Sequence, residues 1–219
     1  MAALPAGGGP VLLEPEASHH LLRVTGVARG EVVLLFDGAG LEAQARLEGV
    51  EAGRALLLAE AALPAPPAPE RWLLPALVKH EAFDLLIRMA TELGVTRVLP
   101  VLAARSVARG DRADRWARIA AAAAAQCGRA TLPLIEEPAP LPSALSRVPE
   151  GYDRRVYTPD GARLAPPRPP CALLLGPEGG MSADELILAR DAGFLAEGLG
   201  GHVLRADTAA VAVLARTLG

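Results

Sequence analysis

The sequence predicts an α/β protein in which a mostly parallel sheet covered by helices follows a small all-β domain. Three observations carry this prediction. After residue 70, short apolar runs alternate with helical patterns, which is typical of a parallel sheet with helical connections. Before that point, short strand patterns are separated by turn sequences, as in a small β-barrel or sandwich. Between them lies LPAPPAPE at residues 63–70, whose four prolines in eight residues can continue neither a helix nor a central strand.

The proline-rich segment marks the domain boundary, so we place the first domain at residues 1–68 and the second at residues 69–219. A short helix is predicted near residues 18–22, with Ser18 as its N-cap. Turn sequences DGAG and GVEAG separate the strands predicted in the first domain, which are Glu31–Phe36, Leu41–Leu47 and Arg54–Ala59.

The second domain begins with a predicted strand and then alternates. Its strands are predicted at Arg71–Val78, Arg97–Leu102, Arg154–Tyr157 and Cys171–Leu175. Its helices are predicted at Glu81–Leu93, Asp114–Gln126, Ser182–Ala192 and Thr208–Leu218. Glycines at 94, 128 and 193 end the first three helices. Ser182 with Glu185 three residues later forms a capping box at the third.

The charge of the chain is divided unevenly between the two domains. The 219 residues carry 22 Lys plus Arg and 25 Asp plus Glu, a net charge of -3, and Lys79 is the only lysine. Nearly all positive charge is therefore guanidinium, which suits phosphate and carboxylate partners. Residues 1–70 contain four arginines and nine carboxylates, whereas the remainder contains 18 basic and 16 acidic groups. The net charge therefore does not exclude a polyanionic partner for the second domain.

Cysteine usage and hydropathy exclude several classes of protein. Cys127 and Cys171 are the only cysteines, without CxxC spacing or a histidine cluster, so we expect two buried, reduced thiols and no metal site. The N-terminus lacks the basic and apolar regions of a signal peptide. The longest apolar run, Ile119–Ala125, is far shorter than the about 20 residues that span a bilayer. We expect a cytoplasmic protein without a membrane partner.

An arginine-rich stretch is the one candidate footprint for a polyanion. Residues 97–129 carry seven arginines against Asp111 and Asp114. The alternative is a solvated helix face, because Arg112, Arg115 and Arg118 follow one another at intervals of three residues.

Two glycine-containing loops stand where a ligand site is expected. LLLGPEGG at residues 173–180 is a buried strand running into a turn, followed at once by the capped helix. Ligands of α/β sheets bind at the carboxyl ends of strands, and glycines let a backbone approach a ligand closely. The segment is neither a Walker loop nor GxGxxG. The alternative is a tight turn that needs positive φ at Gly179 or Gly180.

The second loop, LGGHVLRADT at residues 199–208, opens the last predicted helix. Free N–H groups at a helix start favour an anion. Helix capping is the alternative role for Asp207 and Thr208. Arg205 is harder to explain in that way because a cation is disfavoured there, so a ligand or phosphate role is equally open to it.

Taken together and in this order, LLLGPEGGMSADELILARDAGF and GLGGHVLRADTAA resemble the C-terminal signature of the RsmE-type 16S ribosomal RNA uridine-N3 methyltransferases of the SPOUT superfamily. Earlier stretches fit in register, among them LVK at 77–79, FDLLIRMATELGV at 83–95, RSV at 105–107 and QCGR at 126–129. The resemblance covers roughly residues 19–218.

The resemblance implies a PUA-like, RNA-binding β-barrel followed by an α/β methyltransferase domain with a deep C-terminal trefoil knot. It also implies a homodimer, S-adenosylmethionine as methyl donor, and 16S rRNA or the small ribosomal subunit as partner. Arg205 and Asp207 become the catalytic candidates, with Arg205 stabilising the uracil as N3 loses its proton. The implied cofactor-binding residues are Leu175, Gly176, Glu178, Gly179, Gly180, Leu199, Gly200, Val203, Leu204 and Thr208. The implied RNA-binding residues are Arg105, Arg109, Arg112 and Arg129.

The sequence departs from the family pattern at several polar positions. Gly26, Met89 and His202 stand where basic residues are usual, and Glu31 and Asp207 exchange one acidic residue for the other. The missing basic groups leave open a second function, a catalytically weak RNA-binding or ribosome-assembly factor that kept the fold. A third alternative is a phosphate- or nucleotide-binding enzyme that uses GPEGG as an anion loop.

Overall fold

The computed structural model describes residues 4–106 and 112–218. The chain divides into two compact units, Met1–Pro67 with Ala124–Leu132, and Ala68–Ala123 with Pro133–Gly219. Within the described ranges, no helix is both long and apolar enough to cross a membrane.

The first unit is an antiparallel sheet with a short helical segment. Its elements are β1 Gly9–Leu12, α1 Pro15–His19, a π-helical segment His20–Thr25, β2 Val32–Phe36, β3 Leu41–Glu51, β4 Arg54–Ala59 and β5 Leu63–Pro64. The strand order is β1-β4-β3-β2, and β5 pairs with the start of β3. Alternate residues of β3 and β4, among them Ala45, Leu47 and Leu57, form its core. The three predicted strands are thus confirmed.

One local prediction in this unit was wrong, and one short strand was not predicted. Glu14, not Ser18, is the N-cap of α1, and Ser18 lies buried within the helix. The Ser18 hydroxyl donates to the Leu13 carbonyl at 3.1 Å and accepts the Ala55 N–H at 3.0 Å, so it binds the helix to β4. Strand β5 falls within the proline-rich segment, where an edge position tolerates Pro64.

The segment after α3 adds to the same unit. Thr131 bridges to Gly38 and Ala39, the Leu132 N–H donates to the Gly38 carbonyl, and the Gly40 N–H donates to the Ala130 carbonyl. Backbone pairing thus joins residues 130–132 to the turn between β2 and β3.

The second unit alternates strands and helices. Its elements are β6 Arg71–Pro75, α2 His80–Glu92, β7 Arg97–Val98, β8 Val101–Leu102, α3 Ala113–Cys127 (its last four residues belong to the first unit), β9 Leu134–Ile135, β10 Ala139–Pro140, α4 Leu141–Ser146, β11 Asp153–Ala162, β12 Cys171–Leu175, α5 Ala183–Asp191, β13 Leu195–Glu197 and α6 Ala206–Ala215. Six strands form one sheet in the order β13-β11-β12-β6-β7-β9, and every pairing is parallel. The predicted parallel α/β architecture is confirmed.

Helices cover both faces of the parallel sheet. Leu73 and Leu173 belong to the core beneath α2, α3 and α6, whereas their neighbours Leu74 and Leu174 belong to the core beneath α4 and α5. Successive residues of a strand point to opposite faces, so the continuous apolar run of β12 fills both cores.

Element boundaries differ from the predictions where proline or tertiary contact intervenes. The strand predicted at Arg97–Leu102 is two short strands, since Pro100 between them has no N–H for a ladder. Strand β6 ends at Pro75 rather than Val78, β11 extends to Ala162, and α6 begins at Ala206. The capping box is confirmed: the Ser182 hydroxyl accepts the Glu185 N–H at 3.2 Å, and the Glu185 carboxylate accepts the Ser182 N–H at 2.8 Å.

The two cysteines lie in different environments. Cys171 is fully buried in β12, and burial raises the pKa of its thiol to about 11. Cys127 is exposed at the end of α3, so the prediction that both thiols are buried was wrong. Both are free thiols.

Two glycines allow a close crossing of the backbone beside β11 and β13. A Cβ built on Gly161 would overlap the Glu197 carbonyl, and one on Gly198 would overlap the Gly161 carbonyl. The Gly198 N–H donates to the Ala162 carbonyl at 3.0 Å. The Arg216 guanidinium then bonds both the Glu197 carboxylate and a carbonyl beyond β11, so it fastens the end of α6 to the crossing.

Candidate functional site

A cleft opens at the carboxyl ends of three neighbouring strands, β11, β12 and β13. The last residues of β11, the loops that follow β12 and β13, and the start of α6 enclose about 430 Å³. Ligand sites in α/β sheets lie at this edge, and their volumes run from about 300 to 1,000 Å³. The cleft is therefore the candidate ligand site of the second unit.

The loop after β12 forms one wall of the cleft. The Gly180 N–H donates to the Pro177 carbonyl at 2.8 Å, which closes a tight turn, and Gly180 has φ of +70°. Gly180 therefore forms the positive-φ turn that was considered for this segment, and it also lines the cleft. All five residues predicted here line the cleft, namely Leu175, Gly176, Glu178, Gly179 and Gly180.

The loop after β13 forms the opposite wall. Four residues predicted for this loop line the cleft, namely Leu199, Gly200, Val203 and Leu204. His202 lines it as well, and Ala206 and Ala209 extend the wall into α6. Thr208 is not among the lining residues. Its N–H and hydroxyl both bond to the Asp207 carboxylate, at 2.8 and 3.3 Å.

Arg205 and Asp207 lie side by side at the start of α6. Arg205 is the N-cap residue, yet its side chain makes no cap hydrogen bond and is 72% exposed. Its guanidinium donates to the Asp207 carboxylate at 2.9 Å. Asp207 is buried in the first turn, where the helix N-terminus favours a negative charge. The buried Asp207 carboxylate thus holds the exposed Arg205 guanidinium at the N-terminal end of α6.

The end of β11, which sequence reasoning missed, completes the cleft. Tyr157 and residues 158–161 of this strand line the cleft, where the pairing with β13 is interrupted between Tyr157 and Ala162. The sequence signal was the Pro-Asp-Gly turn at residues 159–161, shortly after the predicted strand at 154–157.

A buried charge cluster lies next to this end of β11, where Tyr157 pairs with Glu197 of β13. Glu197 is fully buried, pairs with Arg216, and lies 3.9 Å from the guanidinium of Arg155. Burial and the nearby Glu197 carboxylate raise the pKa of the Tyr157 hydroxyl. Tyr157 therefore stays neutral at physiological pH.

Three arginines of the 97–129 stretch have partners within the protein. Arg97 pairs with Glu136 and lies over the Trp72 ring at 4.2 Å, and Arg115 pairs with Asp84 at 2.7 Å. The Arg118 guanidinium donates to the Asp114 carbonyl at 3.2 Å. Arg115 and Arg118 are exposed on α3, so the alternative of a solvated helix face describes these two arginines.

The four arginines predicted to bind RNA have different surroundings or lie outside the described residues. Arg105 donates to the Gly179 carbonyl of the glycine loop, and Arg109 lies outside the described residues. Arg112 precedes α3, and its side chain has no partner in the described ranges. Arg129 belongs to the first unit. In residues 4–106 and 112–218, no three His, Cys, Asp or Glu side chains group as metal ligands.

Comparison with known proteins identifies the family to which this architecture belongs. The family profile of the RNA methyltransferase domain matches residues 66–218. The ribosomal RNA small subunit methyltransferase E of Mycobacterium bovis is 33% identical, over 96% of this chain and 87% of its own length. The enzyme of the same name from Synechocystis is 34% identical, over 94% of this chain and 72% of its own length.

A solved structure agrees with these relatives. The ribosomal RNA small subunit methyltransferase E of Neisseria gonorrhoeae, crystallised with S-adenosylmethionine, superposes with a TM-score of 0.83 at 29% identity, covering 97% of this chain and 92% of that one. The chain therefore belongs to the ribosomal RNA small subunit methyltransferase E family, and residues 66–218 are its RNA methyltransferase domain.

Proposed function

We propose that this chain uses S-adenosylmethionine to methylate N3 of a uridine in the 16S ribosomal RNA of the small subunit. The observation that carries the proposal is the cleft at the ends of β11, β12 and β13. It is lined by the two glycine loops through which the sequence resembles the family. The enzyme acts in the cytoplasm.

The residues around the cleft fit S-adenosylmethionine. Apolar side chains of Leu199, Leu204 and Ala209 suit an adenine ring, and glycines of both loops expose backbone N–H and carbonyl groups to a ligand. The carboxylates of Glu178 and Asp160 suit ribose hydroxyls or an ammonium group. When bound, S-adenosylmethionine supplies an electrophilic methyl group.

The protein's own part in the reaction is positioning and charge stabilisation. The uracil N3 becomes nucleophilic when its proton leaves for solvent, and negative charge then spreads over the ring. The exposed guanidinium of Arg205 donates to this developing charge, and Asp207 keeps it at the start of α6. The N3–C bond forms as the S–C bond breaks, and no strong general base is required.

We assign RNA binding to both parts of the chain, with residues 1–68 as a PUA-like barrel and residues 69–219 as the methyltransferase domain. The antiparallel sheet of the first unit, packed around one apolar core, supports the barrel. Arg109, Arg112 and Arg129 are the arginines that we propose for phosphate contacts, whereas Arg105 bonds to the Gly179 carbonyl of the glycine loop.

A trefoil knot and a homodimer complete the proposal. The knot rests on the family resemblance. The dimer rests on the family resemblance, and sedimentation of the purified protein tests it.

Calorimetry with S-adenosylmethionine tests the proposed site. The wild type is expected to bind at micromolar concentration. Ala209→Leu narrows the cleft wall and weakens binding, whereas Ala215→Leu, on an exposed position of the same helix, leaves it unchanged. Absence of binding by the wild type at high micromolar ligand contradicts the proposed cofactor.

A further inference from the structure

Residues 103–106, immediately after β8, form a tight turn within the arginine-rich stretch. The Ser106 N–H donates to the Ala103 carbonyl at 3.0 Å, and the Ser106 hydroxyl accepts the Ala103 N–H at 3.2 Å. We call this segment the 103–106 turn. These hydrogen bonds within the segment define the shape of the turn independently of its contacts with the loop after β12.

A buried carboxylate holds the base of the 103–106 turn against the loop after β12. Glu185 is 7% exposed, and one of its carboxylate oxygens accepts the Ala104 N–H at 2.7 Å. The other oxygen accepts the Ser182 N–H at 2.8 Å as part of the capping box of α5. One side chain thus fixes both the end of the glycine loop and the 103–106 turn.

Arg105 makes a second, independent connection to the glycine loop. Its guanidinium Nη1 donates to the Gly179 carbonyl at 2.5 Å. The aliphatic part of the side chain covers Gly179, because a Cβ built there would lie 3.5 Å from Arg105 Cδ and 3.6 Å from its Cβ. A charged donor on a backbone carbonyl makes a strong hydrogen bond, and Gly179 lines the cleft.

We infer that Arg105 is a positioning residue for the cofactor loop, fixing the Gly179 carbonyl before S-adenosylmethionine binds. A loop held in its bound conformation loses less conformational entropy when the ligand arrives, so affinity rises without a new ligand contact. The inference rests on the proposed function of the cleft. It gives Arg105 a role at the cofactor loop in place of the phosphate contact that its position in the arginine-rich stretch predicts.

Calorimetry with S-adenosylmethionine on three variants tests the inference. Arg105→Ala is expected to bind about tenfold more weakly than the wild type, because a charge-assisted hydrogen bond is removed. Arg105→Lys recovers part of the affinity, since an ammonium group still donates one hydrogen bond. Arg190→Ala, which also removes an exposed guanidinium, is the matched control and retains wild-type affinity.

Steady-state kinetics and RNA-binding measurements distinguish a positioning role of Arg105 from a catalytic or an RNA-binding role. In Arg105→Ala the KM for S-adenosylmethionine rises while kcat at saturating cofactor is retained, and the salt dependence of RNA binding is unchanged. Wild-type cofactor affinity in Arg105→Ala would overturn the inference. If cofactor affinity is unchanged and the slope of log RNA affinity against log salt falls by about 0.7–0.9, Arg105 contacts one phosphate and the inference is also overturned. Failure of the wild type itself to bind cofactor refutes the proposed function as well.

Discussion

Arg205 and Asp207 form an ion pair of opposite exposure: the guanidinium is 72% exposed, the carboxylate side chain is 5% exposed, and 2.9 Å separates their bonded atoms. The carboxylate also accepts the Thr208 N–H, so its own position is fixed by the first turn of α6. The pair therefore presents a positive charge to solvent from a rigid base, which is the arrangement needed to stabilise a developing anion.

Arg205→Ala is expected to lower kcat for RNA methylation by about 10²–10³-fold, the usual effect of removing one preorganised donor from a developing charge. Affinity for S-adenosylmethionine stays within about twofold, because Arg205 does not line the cleft. Single-turnover assays and calorimetry on the same preparation measure both quantities. A wild-type kcat would exclude the catalytic role.

Asp207→Asn is expected to lower kcat by a smaller factor, since the guanidinium remains but loses its charged partner. The double variant with Arg205→Ala should be no slower than Arg205→Ala alone, because residues acting as one unit are not additive. Fully additive losses in the double-mutant cycle would show that Asp207 acts independently of Arg205.

Local chemistry made much of the fold predictable from sequence. The apolar run CALLL forms β12 at the predicted residues, and the Ser182–Glu185 capping box opens α5 as expected. Ser18 could not be placed from local sequence alone. Its hydroxyl accepts a hydrogen bond from the Ala55 N–H, which is distant in sequence, and this contact outweighs the preference of serine for an N-cap position. Strand β5 was missed for the same reason, because pairing with β3 decided its structure.

The candidate site was only partly predictable. The two glycine loops could be predicted as parts of a ligand site from their own sequences, and both line the cleft. Residues 158–161, within β11, have only a common turn signal. Their place in the cleft follows from the strand order β13-β11-β12, which sets β11 between the other two. Likewise, no local pattern shows that Arg105 bonds to Gly179, 74 positions away.

Removing Arg109 and Arg112 together is expected to weaken RNA binding and to lower the slope of log affinity against log salt. Each phosphate that is no longer neutralised by an arginine reduces that slope by about 0.7–0.9, so the double alanine variant should show a decrease of up to about 1.8. Titrations at several salt concentrations measure the slope. The pair Arg115 and Arg118 serves as control, since both have partners within the protein. An unchanged slope would place Arg109 and Arg112 on a solvated face.

Gly161→Ala is expected to destabilise the protein by at least about 2 kcal/mol, because its Cβ would overlap the Glu197 carbonyl at the backbone crossing. Gly49→Ala in β3 is the matched control, since a Cβ there meets nothing within 4 Å. Urea unfolding compares the two. Equal midpoints for Gly161→Ala and the wild type would show that the crossing opens without cost.

Glu136 is expected to make stability depend on acid pH. Burial raises the pKa of its carboxyl, but hydrogen bonds and charges from Arg97 and Arg147 outweigh burial and hold it below 4.5. Because the folded pKa lies below the unfolded one, the stabilisation is full above about pH 5 and is lost as pH falls through the folded value. The unfolding temperature should therefore fall less steeply below about pH 5 in Glu136→Gln than in the wild type. Glu150→Gln, at an exposed position, should follow the wild type.

The most direct test of the proposed function is mass mapping of 16S rRNA in small subunits prepared from cells that lack this enzyme. After incubation with the purified protein and S-adenosylmethionine, one nucleotide should gain a methyl group that nuclease mapping and fragmentation assign to uridine N3. Arg205→Ala should leave it unmethylated at the same time point. No N3-methyluridine with the wild type, or methylation on another atom, would contradict the account.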